Sequence, residues 1–410
     1  MNILLIGELY RYGGASEMME ILAGELRKKG HRVISVYGYN PRNRKIEKDI
    51  RVIFENRFQK GVNGRARYWL EKYNLPNLYA RFVITGIVER EHIDILHFHA
   101  MQGGYMGIRD IGYLGRKYKV VWTIHDTWPF TGGCMHFGSC GGWMNDSCMC
   151  CDEQQLHTLY RNTHKNYNRK RSAFTGREIA FVTPSKWMAD NAARSFLKKE
   201  CCVCIENGID LTCFRPLDNR EELRKKYGIE EGKNVLMIAA GDLQSKYKGF
   251  ASLAKALRKL KEPQRYTLLV VGEKDGGAEE EEICVACRAF GFVRDKSVMN
   301  ELYNTADLVV LPSLQDTFPT VALEAQAAGT PVVAFPVGGV REQITESTGW
   351  LLETISSAEL AFTIEKIFAD KQILREKGRK ARERCLRLYG KERMCQNYEN
   401  VYRNIWDGAR

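Results

Sequence analysis

The sequence predicts an α/β protein of two Rossmann-like domains, each a parallel sheet covered by helices. Three observations predict it. A chain of 410 residues exceeds one ordinary hydrophobic core. Short β-branched runs alternate with stretches of helical periodicity. Glycine-rich or polar loops follow several of those runs, where open parallel sheets bind ligands. A hydrophobic content of 44% and a charged content of 27% fit a globular protein.

The elements follow in order. Asn2 to Gly7 reads as a buried strand, followed by Gly13-Gly14-Ala15-Ser16 and a helix with Met18, Met19, Leu22 and Leu26 on one face, ending at Gly30. Strand, glycine loop and helix make a Rossmann-type opening, and glycine lets backbone approach a ligand closely. The Gly-x-Gly-x-x-Gly dinucleotide pattern is absent, which argues against a nicotinamide site. Val33 to Tyr37 is the next strand. Ile93 to Phe98 and Val120 to Ile124 are two more, ending in His97 and His99 and in His125-Asp126. Histidines at strand ends are candidates for chemistry. Phe181 to Ser185, Val235 to Ala240, Thr267 to Gly272, Ala289 to Val293 and Leu308 to Leu311 continue the strand series. Pro319 opens a small-residue helix that stops at Gly329, and a buried strand, Pro331 to Phe335, follows. The last helix, Glu392 to Trp406, carries Tyr398, Tyr402 and Ile405 on one face as core.

No apolar stretch is long enough to span a bilayer, and Met1 to Leu9 runs into Glu8 without a basic leader, so it reads as a strand and not a signal peptide. Thirteen cysteines then read as reduced thiols in a cytoplasmic protein. The formal charge of +12 gathers in two runs: Arg42 to Arg67, followed by Tyr68 and Trp69, and Arg161 to Arg171, interleaved with Tyr160 and Tyr167. A basic aromatic face suits an anionic membrane surface or a lipid diphosphate; a solvated helix face explains such runs as well. No nucleic-acid-binding module is recognisable, and no nucleic-acid partner is expected.

Residues 306–339 are the most informative. Pro312-Ser313 ends a strand, and Asp316 lies in the loop eight positions before Glu324. Free amides in the first turn of the helix, near Thr320 and Val321, suit an anionic group such as a diphosphate. The run Glu-Ala-x-Ala-x-Gly-Thr-Pro-Val-Val-Ala follows, then Gly338-Gly339. This segment resembles the Glu-x7-Glu signature of family-4 retaining glycosyltransferases, which have the GT-B fold of two facing Rossmann-like domains. The first acid here is Asp316 and not Glu, about 1.5 Å shorter in reach. The resemblance implies that Glu324 holds the ribose of a nucleoside-diphosphate sugar, that Asp316 touches the donor sugar, and that Thr317, Phe318, Thr320 and Val321 line the donor. It extends to the N-terminal half, where Gly13 and Gly14 face the donor phosphates and His125, in Thr-x-His, touches the sugar. Asn207 to Pro216 resembles the family's crossover between domains. At Gly241-Asp242-Leu243-Gln244-Ser245-Lys246-Tyr247-Lys248-Gly249 the family shows Gly-Arg-Leu and then Lys-Gly; Asp242 replaces the arginine, Lys248 is assigned to the phosphates, and Lys246 is a substitute.

The expected domains are 1–206 (acceptor side), 207–388 (nucleotide-sugar binding) and a helix, 389–410, packing back on the first. Within the first, Trp128 to Asp152 interrupts the α/β rhythm. Cys134, Cys140, Cys148 and Cys151 are spaced C-x5-C-x7-C-x2-C, with Cys150 surplus. Four thiolates at this spacing hold a tetrahedral structural zinc and fold a glycine-rich loop that has no core; alternatively the thiols pack as small apolar groups. The stretch resembles an insertion in some bacterial exopolysaccharide glycosyltransferases.

Breaking a sugar–diphosphate bond needs fixed cations and amides at the leaving oxygens. No Asp-x-Asp for a metal ion occurs in the sequence, so no cofactor is expected for the chemistry. Asp126 is the nearby carboxylate for a double displacement; the resemblance implies a front-face route instead. The expected function is transfer of a sugar from a nucleoside diphosphate to a saccharide or lipid-linked acceptor, by a cytoplasmic protein in contact with the inner face of the membrane. The rival readings are a nucleotide-sugar epimerase of the same architecture and a zinc-containing binding protein without catalysis.

Overall fold

The computed structural model describes residues 1–410 except 56, 103, 146, 150, 152–158, 199, 201, 274–282 and 409–410. The chain divides into two compact units, Met1–Glu206 with Met394–Arg410, and Asn207–Arg393. Each is a doubly wound α/β unit on a wholly parallel sheet, the fold class expected.

In the first unit the strands are β1 (Asn2–Leu9), β2 (Arg32–Tyr39), β3 (Ile50–Phe54), β4 (Ile95–His99), β5 (Val120–Thr123), β6 (Ile179–Thr183) and β7 (Cys202–Cys204). They lie in the order β3-β2-β1-β4-β5-β6-β7. Alternate residues of β1 serve two cores: Leu4 and Ile6 pack with Phe98, Trp122 and Phe181, and Ile3 and Leu5 pack with Met19, Leu22 and Leu26 of the helix Gly14–Lys28 on the other face. All four β1 side chains are fully buried, each contributing about 1.5–3 kcal/mol. The helix Lys391–Trp406 adds Met394, Cys395, Tyr398 and Tyr402 to that second core, at helical spacing.

In the second unit β8 (Asn234–Asp242), β9 (Tyr266–Glu273), β10 (Ala286–Ala289), β11 (Leu308–Leu311), β12 (Val332–Ala334) and β13 (Gly349–Leu351) take the order β10-β9-β8-β11-β12-β13. The strand expected at Ala289 to Val293 instead runs from Ala286 to Ala289; beyond it the Phe290 amide still donates to the Val270 carbonyl at 2.9 Å, and Gly291 breaks the extended run at φ 61°. Within this unit the segments around Ile209 and Gly390 run side by side: the Ile209 amide donates to the Tyr389 carbonyl at 2.9 Å, and the Lys391 amide donates to the Ile209 carbonyl at 3.0 Å.

In both sheets strand order reverses at one place, between β1 and β4 and between β8 and β11. Beyond the carboxyl ends of the strands there, an open α/β sheet leaves a crevice for ligand.

Two expectations about the basic runs are corrected. Lys170 is completely buried, and its ammonium donates to the carbonyls of Trp128 at 2.5 Å and Thr131 at 3.0 Å while lying 3.5 Å from the centre of the Trp128 ring. Tyr167 is core, packed edge-on against Phe196 at 5.1 Å. Neither belongs to a surface. Burial lowers the Lys170 ammonium to about 7. Lys170→Met leaves two buried carbonyls unpaired and is expected to cost about 2–4 kcal/mol in urea unfolding at pH 6.

The expectation that the cysteine-rich insertion has no core is also corrected. The insertion does have a core: Trp128, Phe130, Trp143 and Cys148 belong to the same cluster as Trp122, with Trp143 in ring contact with Phe130 (5.4 Å) and Phe137 (4.9 Å). Backbone is tied by Thr127 and Thr131 hydroxyls donating to the Cys134 carbonyl, each at 3.0 Å, and by the Thr163 hydroxyl donating to the Cys148 carbonyl at 2.8 Å. Burial first, then the nearby Cys151, pushes the Cys134 thiol up to about 12, and burial pushes the Cys148 thiol up to about 11. Among the described residues, no three His, Cys, Asp or Glu side chains form a set able to hold a metal ion. Cys150 and Asp152 lie outside the described residues.

Candidate functional site

The second unit's site begins at β8. Its end leads into Ser245 and a single turn, Lys246–Lys248, closed by Gly249 at φ 71°. Only glycine fits there, because a Cβ would stand 1.7 Å from the Pro312 carbonyl oxygen. The Leu314 amide donates to the Tyr247 carbonyl at 2.7 Å, so the loop after β8 is tied to the loop after β11. That tie delivers Lys248 to Asp316, ammonium to carboxylate Oδ2, at 2.7 Å. Asp316 is mostly buried and Lys248 is about one-third exposed. Gly338, at φ 47°, passes so close that a Cβ would stand 1.8 Å from the Asp316 carbonyl oxygen.

Pro319 then caps the helix Thr320–Ala327. The Gln343 amide donates to the Pro319 carbonyl at 2.9 Å and fixes the entry to the helix. The first amides, at Thr320 and Val321, have no acceptor within the helix and stand at its positive end. Phe318 is buried, its carbonyl accepting from Asn207 Nδ2 at 3.0 Å, and Thr317 is half-buried. Glu324, one turn into the helix, is 7% exposed and accepts from the Tyr303 hydroxyl at 2.8 Å through Oε2. Lys246 is exposed, its ammonium 5.2 Å from the centre of the Tyr247 ring. Asp242 is exposed, and its Oδ1 accepts from the Gln244 amide at 2.8 Å. One fixed cation, one paired acid and one helix N-terminus thus share the β8/β11 crevice.

The first unit's site lies at the ends of β1, β4 and β5. Gly13 and Gly14 are exposed at the N-terminus of the helix Gly14–Lys28, and a Cβ on either would meet open space. His125 is half-buried; its Nε2 lies 2.9 Å from His99 Nδ1, with the rings stacked at 5.2 Å. His99 Nε2 is buried without a partner among the described residues. His97 does not open to the surface. It is fully buried, 2.7 Å from the Tyr402 hydroxyl and 2.8 Å from Thr123 Oγ1, which itself meets the Tyr398 hydroxyl at 2.9 Å. Burial holds His97 and His99 well below the usual imidazole range and His125 at about 4, so the three rings are neutral at pH 7.

Asp126 is buried. Its Oδ1 accepts from the Trp128 amide at 2.8 Å and its Oδ2 from Gln102 Nε2, and burial raises it to about 6. Sequence reasoning missed its neighbour Glu8, noted only as the polar end of β1. The Glu8 carboxylate presses on Gly104, where a Cβ would lie 1.8 Å from Oε1. Burial first, then the Asp126 charge, outweigh Arg67 and raise it to about 7. Sequence reasoning also missed Tyr303, Gln102 and the two hydroxyls of the last helix, which reach the site from distant segments.

A carboxyl raised in the folded state favours the protonated form, so the folded protein loses stability as pH rises through about 7. Glu8→Gln is therefore expected to be more stable than the parent at pH 8, by roughly 1–3 kcal/mol, and equal to it at pH 4. Urea titrations at both values measure the difference.

Comparison with known proteins adds the following. Residues 12–212 match the model described as Glycosyltransferase Family 4, and residues 219–384 match Glycosyl transferases group 1. A glycosyl transferase of Escherichia coli assigned to colanic acid biosynthesis, WcaC, is 25% identical over 327 residues, 76% of each chain. The N-acetyl-alpha-D-glucosaminyl L-malate synthase of Bacillus anthracis is 23% identical over 405 residues, 96% of this chain and 94% of the relative. Among solved structures, sucrose-phosphate synthase from Thermosynechococcus elongatus aligns over 99% of both chains with a TM-score of 0.76 and 18% identity. Anabaena Alr3699/HepE, solved in complex with UDP and with UDP-glucose, covers 98% of this chain and 99% of its own with a TM-score of 0.69 and 17% identity.

Proposed function

We propose, since the chain belongs to glycosyltransferase family 4, that it moves a sugar from a nucleoside diphosphate to a saccharide or lipid-linked saccharide acceptor, retaining the anomeric configuration, in cell-surface polysaccharide synthesis. The Lys248–Asp316 pair at the β8/β11 crevice, beside the N-terminus of the helix Thr320–Ala327, is the observation that carries the reading. A leaving diphosphate develops negative charge, and a fixed ammonium with free helix amides stabilises it before any solvent reorganises. Lys248 and the amides at Thr320 and Val321 take that role, Lys246 adds charge from the rim, and Thr317 and Phe318 line the donor. Glu324, held by Tyr303, accepts from the ribose hydroxyls. Asp316 both steers Lys248 and accepts from a donor-sugar hydroxyl; its short side chain suits the first task. In the first unit, the amides at Gly13 and Gly14 serve the phosphates, and His125, neutral and oriented by His99, bonds the donor sugar.

Both oxygens of Asp126 already accept hydrogen bonds, which suits holding the turn at Trp128 better than attacking a sugar. We therefore place the reaction on the front-face route: the anomeric C–O bond breaks, the departing phosphate oxygen takes the acceptor's proton, and the acceptor oxygen bonds to the same face. No metal ion is required in this scheme because Lys248 and the helix amides supply the positive field.

For the anionic membrane contact, support comes from the helices Arg57–Tyr73 and Leu78–Arg90, where Trp69, Tyr73 and Phe82 are 52%, 57% and 75% exposed and the Lys72 ammonium lies 5.1 Å from the centre of the Trp69 ring. Among the described residues no helix is long and apolar enough to cross a membrane. The test of function is release of nucleoside diphosphate from a panel of nucleotide sugars, with and without membrane-extracted glycolipid acceptors. Release that depends on acceptor supports transfer; equal turnover without acceptor points to an epimerase.

A further inference from the structure

We infer that the groove between the helices Ile108–Lys117 and Thr163–Phe174 is a binding site for clustered phosphate groups. It is a cavity of about 530 Å³ lined by Arg109, Arg116, Lys165, Arg169 and Arg177, and no carboxylate lines it among the described residues. It lies along the helical layer of the first unit, formed by residues of two helices, the turn after the second, and Asn74, and contains none of the side chains assigned to transfer.

The sequence builds it by spacing. Arg109 and Arg116 are seven apart, two turns along one face of their helix, and Lys165 and Arg169 are four apart on theirs. The two helices meet over Gly112, where a Cβ would stand 2.9 Å from that of Ala173, so the floor is small and the cations rise on both walls. Arg169 is anchored: its guanidinium donates to the carbonyls of Glu71 and Lys72, each at 2.8 Å. Arg177 closes the end, with a buried Nε that has no partner among the described residues.

The side chains of Arg109, Arg116 and Lys165 are exposed and make no ion pair among the described residues. Of the acids nearby, Glu71 is taken by Arg67 at 2.9 Å and by the Leu159 and Tyr160 amides, and Glu200 accepts from the Gly176 amide at 3.0 Å. Ordinary solvated helix faces intersperse acids among such cations; five like charges around one cavity repel one another and are relieved by a multivalent anion. Four of the five are arginines, whose planar forks match phosphate oxygens two at a time. A diphosphate or adjacent phosphomonoesters supply enough charge. The groups can be those of a lipid surface or of a soluble anion.

The experiment is calorimetric titration with inorganic diphosphate, paired with sedimentation of phosphatidylcholine vesicles with and without phosphatidic acid. It compares the full chain, Arg109→Ala/Arg116→Ala, and Lys255→Ala/Lys259→Ala, which removes equal charge from exposed positions of the second unit. Diphosphate held elsewhere survives in the groove variant, so the loss reads the groove alone. The expected result is a diphosphate or phosphatidic-acid affinity that falls at least about tenfold in the groove variant, weakens with salt, and is unchanged in the control. Loss confined to vesicles identifies lipid phosphate, and loss for diphosphate without vesicle binding identifies a soluble anion. Equal loss in both variants, or none in the groove variant, overturns the site.

Discussion

Lys248→Ala is expected to lower kcat by about 10²–10³-fold, the usual effect of removing one preorganised donor from a developing oxyanion. In the parent, Gly249 and the Tyr247–Leu314 bond bring this ammonium to the loop after β11, where Asp316 holds it at 2.7 Å. Alanine removes the cation and leaves Asp316, mostly buried, facing the diphosphate as a like charge. KM for the donor is expected to rise less than kcat falls, because the missing charge matters most once the bond is breaking. Lys248→Arg keeps a cation and is expected to recover part of kcat. Steady-state kinetics on the parent and the two variants measure the split; a kcat within twofold of the parent in Lys248→Ala would exclude the assigned role.

His125→Ala is expected to lower kcat/KM by about 10²-fold while leaving affinity for the free nucleoside diphosphate unchanged. The imidazole belongs to the first unit, and the proposed diphosphate and ribose contacts of Lys248 and Glu324 belong to the second. Its Nε2 is 2.9 Å from His99 Nδ1, and both rings are neutral, so a single proton occupies that bond. A neutral ring with one nitrogen so occupied presents the other to a sugar hydroxyl in a defined state. Truncation also leaves the buried His99 nitrogen unpaired, which is expected to cost about 1–3 kcal/mol of stability. Equal loss of nucleotide affinity in this variant would show that the histidine acts on the whole fold and not on the sugar.

How far the chain could be read without coordinates depended on where each element sits in its sheet. Leu308–Leu311 is buried on both faces, and its sequence bounds match the observed strand. β1, β4, β5, β6, β8 and β9 were legible for the same reason: an interior parallel strand is apolar throughout. The strands that escaped, β3, β7 and β13, and the misplaced β10, are all at sheet edges. There one flank has no partner strand and the side chains are partly wet, as in the Ala-Cys-Arg-Ala of β10, so the apolar signal fades. Lys170 misled because a charged letter in a basic run reads as surface; two carbonyls and an indole face, all supplied by the Trp128 turn, make its burial tolerable. The insertion read as coreless because Trp128, Phe130 and Trp143 fill a core that cysteine spacing does not reveal. The loops after β8 and β11 stood out through their motifs, but the Lys248–Asp316 pair, the Tyr303–Glu324 bond and the Glu8–Asp126 proximity join residues from 21 to 118 positions apart in sequence and needed the fold.

Calorimetric titration of UDP, GDP, ADP and CDP into the parent and into Glu324→Ala tests the central claim most directly. Glu324 is buried in the helix that begins at Pro319, and its carboxylate is held by Tyr303. One nucleotide is expected to bind the parent, and truncation of this carboxylate is expected to weaken it by about 10²-fold, the order set by losing charge-assisted bonds to two hydroxyls. Tight binding that is identical in the variant, or no binding of any of the four to the parent, would contradict a nucleotide-sugar site at the β8/β11 crevice.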